Sequence, residues 1–363
     1  MRNTIWAITT TAIVIGLLAS PPASAKKKAG IPPTASLRPT AQWTDQDSKL
    51  AAKALIERCL AQPFIARYRR SLRRRPRVAI APFRNRSSEH ISAYGLTDAV
   101  RAALTKSKKV RALGAKSRKP ADLLLSGTIY SMGDVSGNKE LKYRAIVAQL
   151  IDIKSGEKLW IDLYESKRLI IRAHFKVGGA AGKKPTDAKT PTPPAVITRL
   201  NPRKMVDLSG AFNDSDMRLA VAALARDFLR AVAKNAGAKR LVIRGYRLRN
   251  RTSQHLPAAL FSAAFEAQIV GSPLLRIAAG RMELSQARAM RATPGPPTRG
   301  PRAGLAVDWV LSGSLSATSE APSKKKIITT YHLTMEAADV NKSAKTWVKV
   351  HAIKKMATPA KPW

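Results

Sequence analysis

The chain has 363 residues, with 65 lysines and arginines against 23 acidic residues and a formal net charge of +42. This length exceeds what one hydrophobic core usually holds and favours two domains. A single cysteine excludes an intramolecular disulfide.

Residues 1–25 have the pattern of a cleavable secretion signal. Arg2 supplies the positive charge, Ile5–Ala19 the apolar run and Ala23-Ser24-Ala25 the small-residue cleavage site. The run is shorter than the roughly 20 residues of a membrane-spanning helix, and an uncleaved anchor is the alternative. Pro21 stands where a lipoprotein carries its acylated cysteine, so no lipid is expected. We expect a periplasmic or outer-membrane-associated protein.

The positive charge predicts an anionic partner. A secreted protein meets little nucleic acid, so DNA binding would require that the signal fail. The remaining candidates are anionic envelope polymers, lipid head groups and acidic protein surfaces. Surface composition typical of a GC-rich genome is an equally good explanation for much of the charge. The segment Arg67–Arg77 exceeds that background, with seven arginines in eleven residues, and is typical of a solvated tail or a contact patch.

A basic, proline-containing linker (26–42) precedes the first predicted domain (43–175). Its first helix begins at Thr44, an N-cap residue with Asp47 as capping-box partner. An apolar stripe at helical spacing includes Cys59, which is predicted to be a core residue. The later elements are expected to be a strand at Val78–Phe83, a helix at Tyr94–Leu104, strands at Val110–Leu113 and Leu123–Tyr130, and a hairpin of Tyr143–Ile153 with Leu159–Tyr164.

A second linker (176–205) leads to the second predicted domain (206–356) and a short tail (357–363). The centre of this linker, Gly178–Pro194, almost lacks large apolar side chains. The second domain is expected to contain a helix capped by Asn213 and Asp216, a strand at Leu241–Leu248, a helix at Ala258–Ile269, strands at Leu274–Ile277 and Trp309–Leu315, and a hairpin of Thr330–Val340 with Thr346–His351.

The two domains are predicted to be copies of one unit, because sequence blocks recur in the same order. The segment RNRSSEH (Arg84–His90) recurs as RNRTSQH (Arg249–His255), and the triplet LSG recurs at Leu125 and Leu311. In the hairpins, Tyr143, Asp152 and Trp160 are matched with Tyr331, Asp339 and Trp347. Strand, helix and strand followed by a hairpin predict an α/β fold: two tandem small α/β domains, each a mixed β-sheet with packed helices.

This ordered set of motifs resembles the LpoB family of penicillin-binding-protein activators, whose fold is shared by the N-terminal domain of TolB and by flagellar FlgO proteins. The resemblance covers residues 43–172 and 207–354. It implies a periplasmic α/β domain without catalytic machinery that stimulates a bifunctional peptidoglycan synthase by direct contact. The motifs are an Asn-Asp-x-Asp helix start (Asn213–Asp216), an Asn-Arg-Ser/Thr-x-x-His loop (Asn85–His90 and Asn250–His255), an Ala-Asp-x-x-Leu-Ser-Gly strand (Ala121–Gly127) and a Tyr…Asp…Gly…Trp hairpin (Tyr143–Trp160).

The chain departs from the family pattern in lacking the lipidated cysteine and in carrying two domains instead of one. The second copy also diverges, since Gly245 and Arg247 are expected to interrupt its strand and an insert (Thr293–Gly304) precedes its Leu-Ser-Gly strand. We therefore expect the primary contact through the first copy, with the second as spacer, support or second site.

The candidate partner-binding residues lie in the recurring loop and in the arginine block. Asn and Ser/Thr favour local backbone hydrogen bonds that would form the loop, whereas the arginines suit an acidic partner. A histidine acting with a nearby Ser or Thr is the catalytic alternative. Glu89 becomes Gln254, however, so no acidic residue recurs to orient the imidazole. The candidates are Arg84, Asn85, Arg86, His90, Arg249, Asn250, Arg251, His255, Arg73, Arg74 and Arg75.

No catalytic, metal or cofactor site is predicted. The five histidines are widely spaced, and Cys59 has no second ligand at metal-binding spacing. The primary hypothesis is a non-catalytic envelope protein that binds and modulates a cell-wall synthase. One alternative is an accessory subunit of an outer-membrane, flagellar or secretion assembly, and a more remote one is an envelope hydrolase.

Overall fold

The computed structural model describes residues 41–114, 117, 119–172, 195–235, 240–291, 305–323 and 326–357. These residues form six helices and one mixed sheet of twelve strands, which confirms the predicted α/β class. The predicted signal peptide, the segment Gly178–Pro194 and the insert Thr293–Gly304 lie outside the described residues. The predicted domain boundaries stay predictions.

The first copy starts with two helices and ends with a long antiparallel meander. Strand β1 lies parallel to β3 and β4, and β4, β5 and β6 are antiparallel neighbours. Its elements are α1 (Asp45–Leu60), α2 (Pro63–Leu72), β1 (Arg77–Ile80), β2 (Arg84–Asn85), α3 (Ala93–Ser107), β3 (Arg111–Ala112), β4 (Leu123–Ser136), β5 (Lys139–Asp152) and β6 (Glu157–Ile171).

A strand that the sequence analysis placed in the second linker follows the first copy. This strand, β7 (Val196–Leu200), pairs with the end of β6. Its β-branched residues favour an extended backbone. The range predicted as linker therefore contains one strand of the sheet.

The second copy repeats the order of the first. Its elements are α4 (Asp214–Asn235), β8 (Leu241–Asn250), α5 (Ala258–Ile269), β9 (Leu275–Ala278), α6 (Arg281–Arg291), β10 (Trp309–Ser323), β11 (Lys326–Asp339) and β12 (Ala344–Ala357). The spatial order β9-β8-β10-β11-β12 matches β3-β1-β4-β5-β6 strand for strand. The structure thus supports the duplication at the level of topology.

The two copies share one sheet through a short seam between β6 and β9. The antiparallel pairing consists of Glu157 opposite Ala278 and Lys158 opposite Ile277. Next to it, the Ala279 N–H donates to the Gly156 carbonyl at 2.8 Å. The last strand of the first copy, β6, therefore pairs with the edge strand of the second copy, β9, and the two copies are joined head to tail.

Both predicted helix starts are confirmed. At α1, the Thr44 N–H donates to the Asp47 carboxylate at 2.9 Å, while the Thr44 hydroxyl accepts from the Asp47 N–H. At α4, the Asn213 N–H donates to Asp216 at 3.0 Å, and the Asp216 N–H donates back to the Asn213 side chain. These reciprocal bonds satisfy donors that a helix start otherwise leaves open.

Each capping aspartate also binds a buried cation from the last strand of its own copy. Arg168 on β6 contacts Asp47 at 2.6 Å, and Lys355 on β12 contacts Asp216 at 2.9 Å. Burial alone would raise the pKa of Asp47, but hydrogen bonds from Arg168 and from the Thr44 N–H, with the charge of Arg168, lower it below its ordinary value. The recurring aspartate therefore fastens the first helix of each copy to its hairpin.

The first copy has its own hydrophobic core between α1–α3 and one face of its sheet. Leu123, Leu125 and Ile146 project into it from the strands. Cys59 lies there as predicted, 2% exposed, and burial raises the pKa of its thiol to about 12. A thiol with that pKa stays protonated at neutral pH and is unreactive.

The second core joins the copies, because it uses the other face of the first copy's sheet. Helices α4 and α5 pack between that face and the sheet of the second copy. The first copy contributes large apolar side chains that its own helices leave uncovered, namely Tyr130, Met132, Tyr143, Val147 and Ile161. The second copy therefore completes the burial of the first, and the two halves form one compact unit.

A buried ion pair crosses this contact. Lys167 on β6 meets Asp214, the first residue of α4, at 2.7 Å, and their side chains are 0% and 1% exposed. Arg218 contacts the same aspartate. Burial raises the pKa of Asp214 above its ordinary value, although the hydrogen bond and charge of Lys167 oppose this. The contact between the two copies therefore combines apolar packing with a buried ion pair.

The matching of Tyr143 with Tyr331 from the sequence is wrong by one residue. Gly127 pairs with Ala148, and its counterpart Gly313 pairs with Met335. Counting back along β5 and β11 from those pairs aligns Tyr331 with Arg144. A slip of one residue in a strand moves a side chain to the opposite face, so the tyrosines lie on opposite faces.

Strand β8 runs from Leu241 to Asn250, but its pairing with β10 shifts register between Gly245 and Leu248, where the sequence predicted an interruption. A Cβ at Gly245 would lie 1.9 Å from the Glu266 carboxylate, so glycine lets α5 approach the strand. Helices α2 and α6 were not predicted.

Candidate functional site

The recurring loop of the first copy is built around Asn85. Its side-chain amide donates to the carbonyl groups of Glu89 at 2.7 Å and Ile91 at 3.1 Å, and its oxygen accepts from the Ser87 N–H at 2.9 Å. The Ser87 hydroxyl donates to the same oxygen at 2.6 Å. Arg84 and Asn85 also form β2 beside β4, so the motif begins in a strand and not, as expected, in the loop after it.

The second copy builds its loop in the same way. The Asn250 amide donates to the Gln254 carbonyl at 2.7 Å, and its oxygen accepts from the Thr252 N–H at 3.0 Å and hydroxyl at 2.8 Å. Asn250 ends β8. The local hydrogen bonds predicted for the Asn and Ser/Thr residues are therefore present in both copies.

Glu89 of the first copy and its counterpart Gln254 in the second copy bind the loop to the hairpin. In the first copy, Glu89 accepts from the buried Arg144 Nε at 2.8 Å. In the second copy, Gln254 donates to the Tyr331 hydroxyl at 2.7 Å. Since Tyr331 is the counterpart of Arg144, the ion pair of one copy is replaced by a neutral hydrogen bond in the other.

The remaining loop candidates form one exposed group in each copy. Arg84, Arg86 and His90 are exposed in the first copy, and Arg249, Arg251 and His255 are exposed in the second. Among the described residues, no hydrogen bond or ion pair joins the two groups. Their role in partner binding stays a prediction.

The arginine block is largely helix, not a tail, since α2 covers its first half. Arg73 ends this helix in a left-handed conformation with φ 51°. Both terminal nitrogens of Arg74 contact Asp122, each at 2.7 Å. Burial of Asp122 is outweighed by hydrogen bonds from Arg74 and the Arg77 N–H, which lower its pKa. Arg74 therefore holds the helix end to the sheet, while Arg73 and Arg75 are exposed.

A cleft lies between the two copies, beside the seam. It comprises adjoining cavities of about 560 Å³ and about 170 Å³, which have residues of β4, β5 and α6 in common. One wall is the outer face of β4–β6, and the opposite wall is formed by α5, the start of α6 and residues 244–245 of β8. Small residues such as Gly127, Ala259 and Ala263 leave this space open.

Lys158 is the charged centre of the cleft. Its ammonium lies 2.8 Å from Glu266 and 3.1 Å from Glu283, and it is 8% exposed. Burial would lower the pKa of Lys158, but the two glutamates raise it, so the lysine is charged. Glu283 also accepts from the Gln149 amide at 2.7 Å and from the Gly280 N–H at 2.6 Å. Both carboxylates are thus occupied by internal donors.

Four arginines surround this centre. Arg244 and Arg281 line the larger cavity, and Arg84 and Arg86 line the smaller one. Arg84 reaches across the cleft to the Met282 sulfur at 3.5 Å. Of the four arginines, only Arg84 and Arg86 were candidates from the sequence. Lys158, Arg244 and Arg281 lie outside the recurring blocks, so no pattern in the sequence marks them.

In the part of the chain that the structure describes, no group of three His, Cys, Asp or Glu side chains is placed to hold a metal ion. No helix among the same residues has the length and apolar character needed to cross a membrane.

The fold and its recurring loops define a tandem α/β protein in which the motif residues are mostly structural. A family model described as the peptidoglycan-synthase activator LpoB matches residues 47–121 and 216–353, more than half of the chain. The chain therefore belongs to the LpoB family, with two copies of its domain. The search of curated proteins found no match.

Among solved structures, the chain is similar to the LpoB C-terminal domain from Salmonella enterica, with 18% identity over 38% of this chain and 98% of that one, at a TM-score of 0.26. The LpoB C-terminal domain from Escherichia coli gives 18% identity, the same coverage and a TM-score of 0.24. Lipoprotein GNA1162 from Neisseria meningitidis gives 14% identity over 25% of this chain and 82% of that one, at a TM-score of 0.22.

Proposed function

We propose that this protein is a non-catalytic activator that binds a peptidoglycan synthase in the cell envelope and stimulates it by direct contact. The observation that carries the proposal is the match of the LpoB family model to both copies. The secretion pattern of residues 1–25 supports a periplasmic location.

The loop geometry supports a binding role over a catalytic one. Ser87 and Thr252, which lie three residues before the recurring histidines, donate to Asn85 and Asn250. The nearer Ser88 hydroxyl lies 3.2 Å from the Ser131 hydroxyl. A hydroxyl that donates to an asparagine oxygen has no base to activate it. The loops instead hold exposed arginines on a rigid frame.

We further propose that the exposed group of the first copy, Arg84, Arg86 and His90, is the primary contact for an acidic surface of the synthase. It lies beside the cleft, where both copies contribute residues. Long-range attraction between a basic patch and an acidic partner raises the association rate and is screened by salt.

The experiment is a glycan-polymerisation assay with the bifunctional synthase of the same organism, with and without the mature chain. The chain should raise the polymerisation rate, and the effect should weaken as salt is raised. Charge reversal by Arg84→Glu with Arg86→Glu should reduce the stimulation by about tenfold.

Arg249→Glu with Arg251→Glu is the matched control, because it changes the same motif and the same charge in the second copy. A smaller loss in this control supports contact through the first copy, and an equal loss contradicts it. An unchanged rate with wild-type chain, together with capture of secretion components instead of a synthase, would refute the activator proposal.

A further inference from the structure

We infer that the cleft between the two copies is a binding site for a small organic phosphate. The inference does not rest on the proposed synthase contact. It rests on the space in the cleft, the charge left unpaired around it and the geometry of guanidinium groups.

The cleft has the size and lining of a small-molecule site. Its larger cavity of about 560 Å³ lies within the range of roughly 300–1,000 Å³ that ligand pockets occupy. Buried apolar side chains of Tyr130, Val147 and Ile161 line one wall. A ligand body can pack against these while a polar head reaches the charged residues.

The unpaired charge in the cleft is positive. The two carboxylates, Glu266 and Glu283, are bound to Lys158, as described above. In contrast, no ion pair links any of the four surrounding arginines to a carboxylate among the described residues. The Nε of Arg244 is buried and has no hydrogen-bond partner there. An orphaned buried donor is costly.

The chemistry of the donors favours phosphate. A guanidinium group presents several N–H donors in one plane and binds phosphate oxygens in pairs. Arg244 and Arg281 belong to the second copy, while Arg84 and Arg86 belong to the first, so one phosphate ester can be held from both sides. A cation would find no free carboxylate, since the glutamates are occupied by Lys158, Gln149 and the Gly280 N–H.

The small residues of α5 that line the cleft are consistent with a ligand site. Ala259 and Ala263 on α5 face the cavity where larger side chains would fill it. The equivalent helix of the first copy, α3, carries Tyr94 and Asp98 at the matching positions, and both are exposed. In the cleft between the copies, the small residues of α5 therefore leave space for a ligand.

The test is calorimetric titration of the full mature chain with sn-glycerol 3-phosphate and, in a second arm, flotation with phosphatidylcholine vesicles with and without phosphatidic acid. The soluble probe reports a free phosphate ester, and the vesicles report a lipid headgroup. We expect saturable one-to-one binding in the first arm, or binding in the second that depends on phosphatidic acid.

Two variants remove the site and one preserves it. Arg281→Gln, at an exposed position, combined with Arg244→Gln should weaken binding by about tenfold or more. Ala263→Phe should block it by filling the cavity without a change in charge. Arg69→Gln with Arg70→Gln removes two exposed arginines from α2, far from the cleft lining, and should bind as the wild type does. Circular dichroism and thermal unfolding confirm that each variant is folded.

Loss of binding in the cleft variants alone supports the inference, and the arm in which it occurs identifies the source of the phosphate. Equal weakening in the α2 control would show attraction by overall charge and would overturn it. Absence of binding in both arms, or wild-type affinity of Ala263→Phe, would also overturn it. Arg84 and Arg86, which are also proposed to contact the synthase, are unchanged in these variants, so failure of this inference is distinguishable from failure of the activator proposal.

Discussion

Replacing Lys167 with methionine tests the contact that joins the copies. The substitution keeps the length of the side chain and removes its charge, which leaves Asp214 buried at 1% exposure. Breaking a buried ion pair by removing one partner costs about 3–5 kcal/mol. We expect the low end, about 3 kcal/mol, because Arg218 still contacts Asp214. The free energy of unfolding is measured by urea denaturation at neutral pH.

Lys354→Met is the matched control, because the duplication places Lys354 at the position of Lys167. Each lysine follows the hairpin tryptophan, Trp347 or Trp160, by the same number of residues. Lys354 is exposed, so its loss should cost less than about 0.5 kcal/mol. Equal effects of the two variants would refute the reasoning, since they would show that the buried pair contributes nothing specific. A change in the urea dependence of Lys167→Met would indicate partial separation of the copies.

Three further predictions concern contacts within the first copy and the core that the copies share. Gly127→Ala should lower stability by about 1–3 kcal/mol, because a Cβ there would lie 2.2 Å from the Phe83 ring. Gly133→Ala on the same strand is its control in urea denaturation, because a Cβ there would meet only the Leu141 carbonyl oxygen, at 3.9 Å. The lowered pKa of Asp47 means that its stabilising effect is present above its unfolded pKa and is lost as the pH falls below about 4. Asp47→Asn should therefore reduce stability at pH 7 and flatten the acid limb of a pH series; an unchanged limb contradicts this. Finally, the shared core predicts one unfolding transition, so tryptophan fluorescence and circular dichroism should give coincident denaturation curves, and two separated midpoints would contradict it.

The sequence was informative where a local rule determines the backbone. The capping boxes at Thr44 and Asn213, the helix Ala258–Ile269 and the hairpin strands follow from patterns of a few neighbouring residues. Duplication strengthened each assignment, because the same pattern had to hold twice. The loop around Asn85 was also predictable, since an asparagine side chain binds backbone groups close to it in sequence.

The arrangement of the two copies was not predictable in this way. The contacts of Lys158 with Glu266 and of Lys167 with Asp214 join residues far apart in the chain, and no repeat marks them. Gly245 was expected to interrupt a strand, and the pairing of β8 does shift register beside it, but the room that it makes for Glu266 was not predicted. Helix α2 was not predicted, because the charge of its arginines suggested a solvated segment. Each error concerned a property that depends on tertiary packing, which sequence spacing does not contain.

Head-to-tail packing of two identical units has no natural end, because each addition exposes the same surface again. Here the last sheet carries hydroxyl groups where the first carries large apolar side chains. The exchanged pairs are Tyr130 and Ser316, Met132 and Thr318, Tyr143 and Thr330, and Val147 and Thr334. These four exchanges make the outer strand face more polar, as in the terminal repeats of solenoid proteins. At the fifth position, Ile161 is matched with Val348, which is 52% exposed. The duplicated chain is a two-unit array whose growth is terminated by its own side chains.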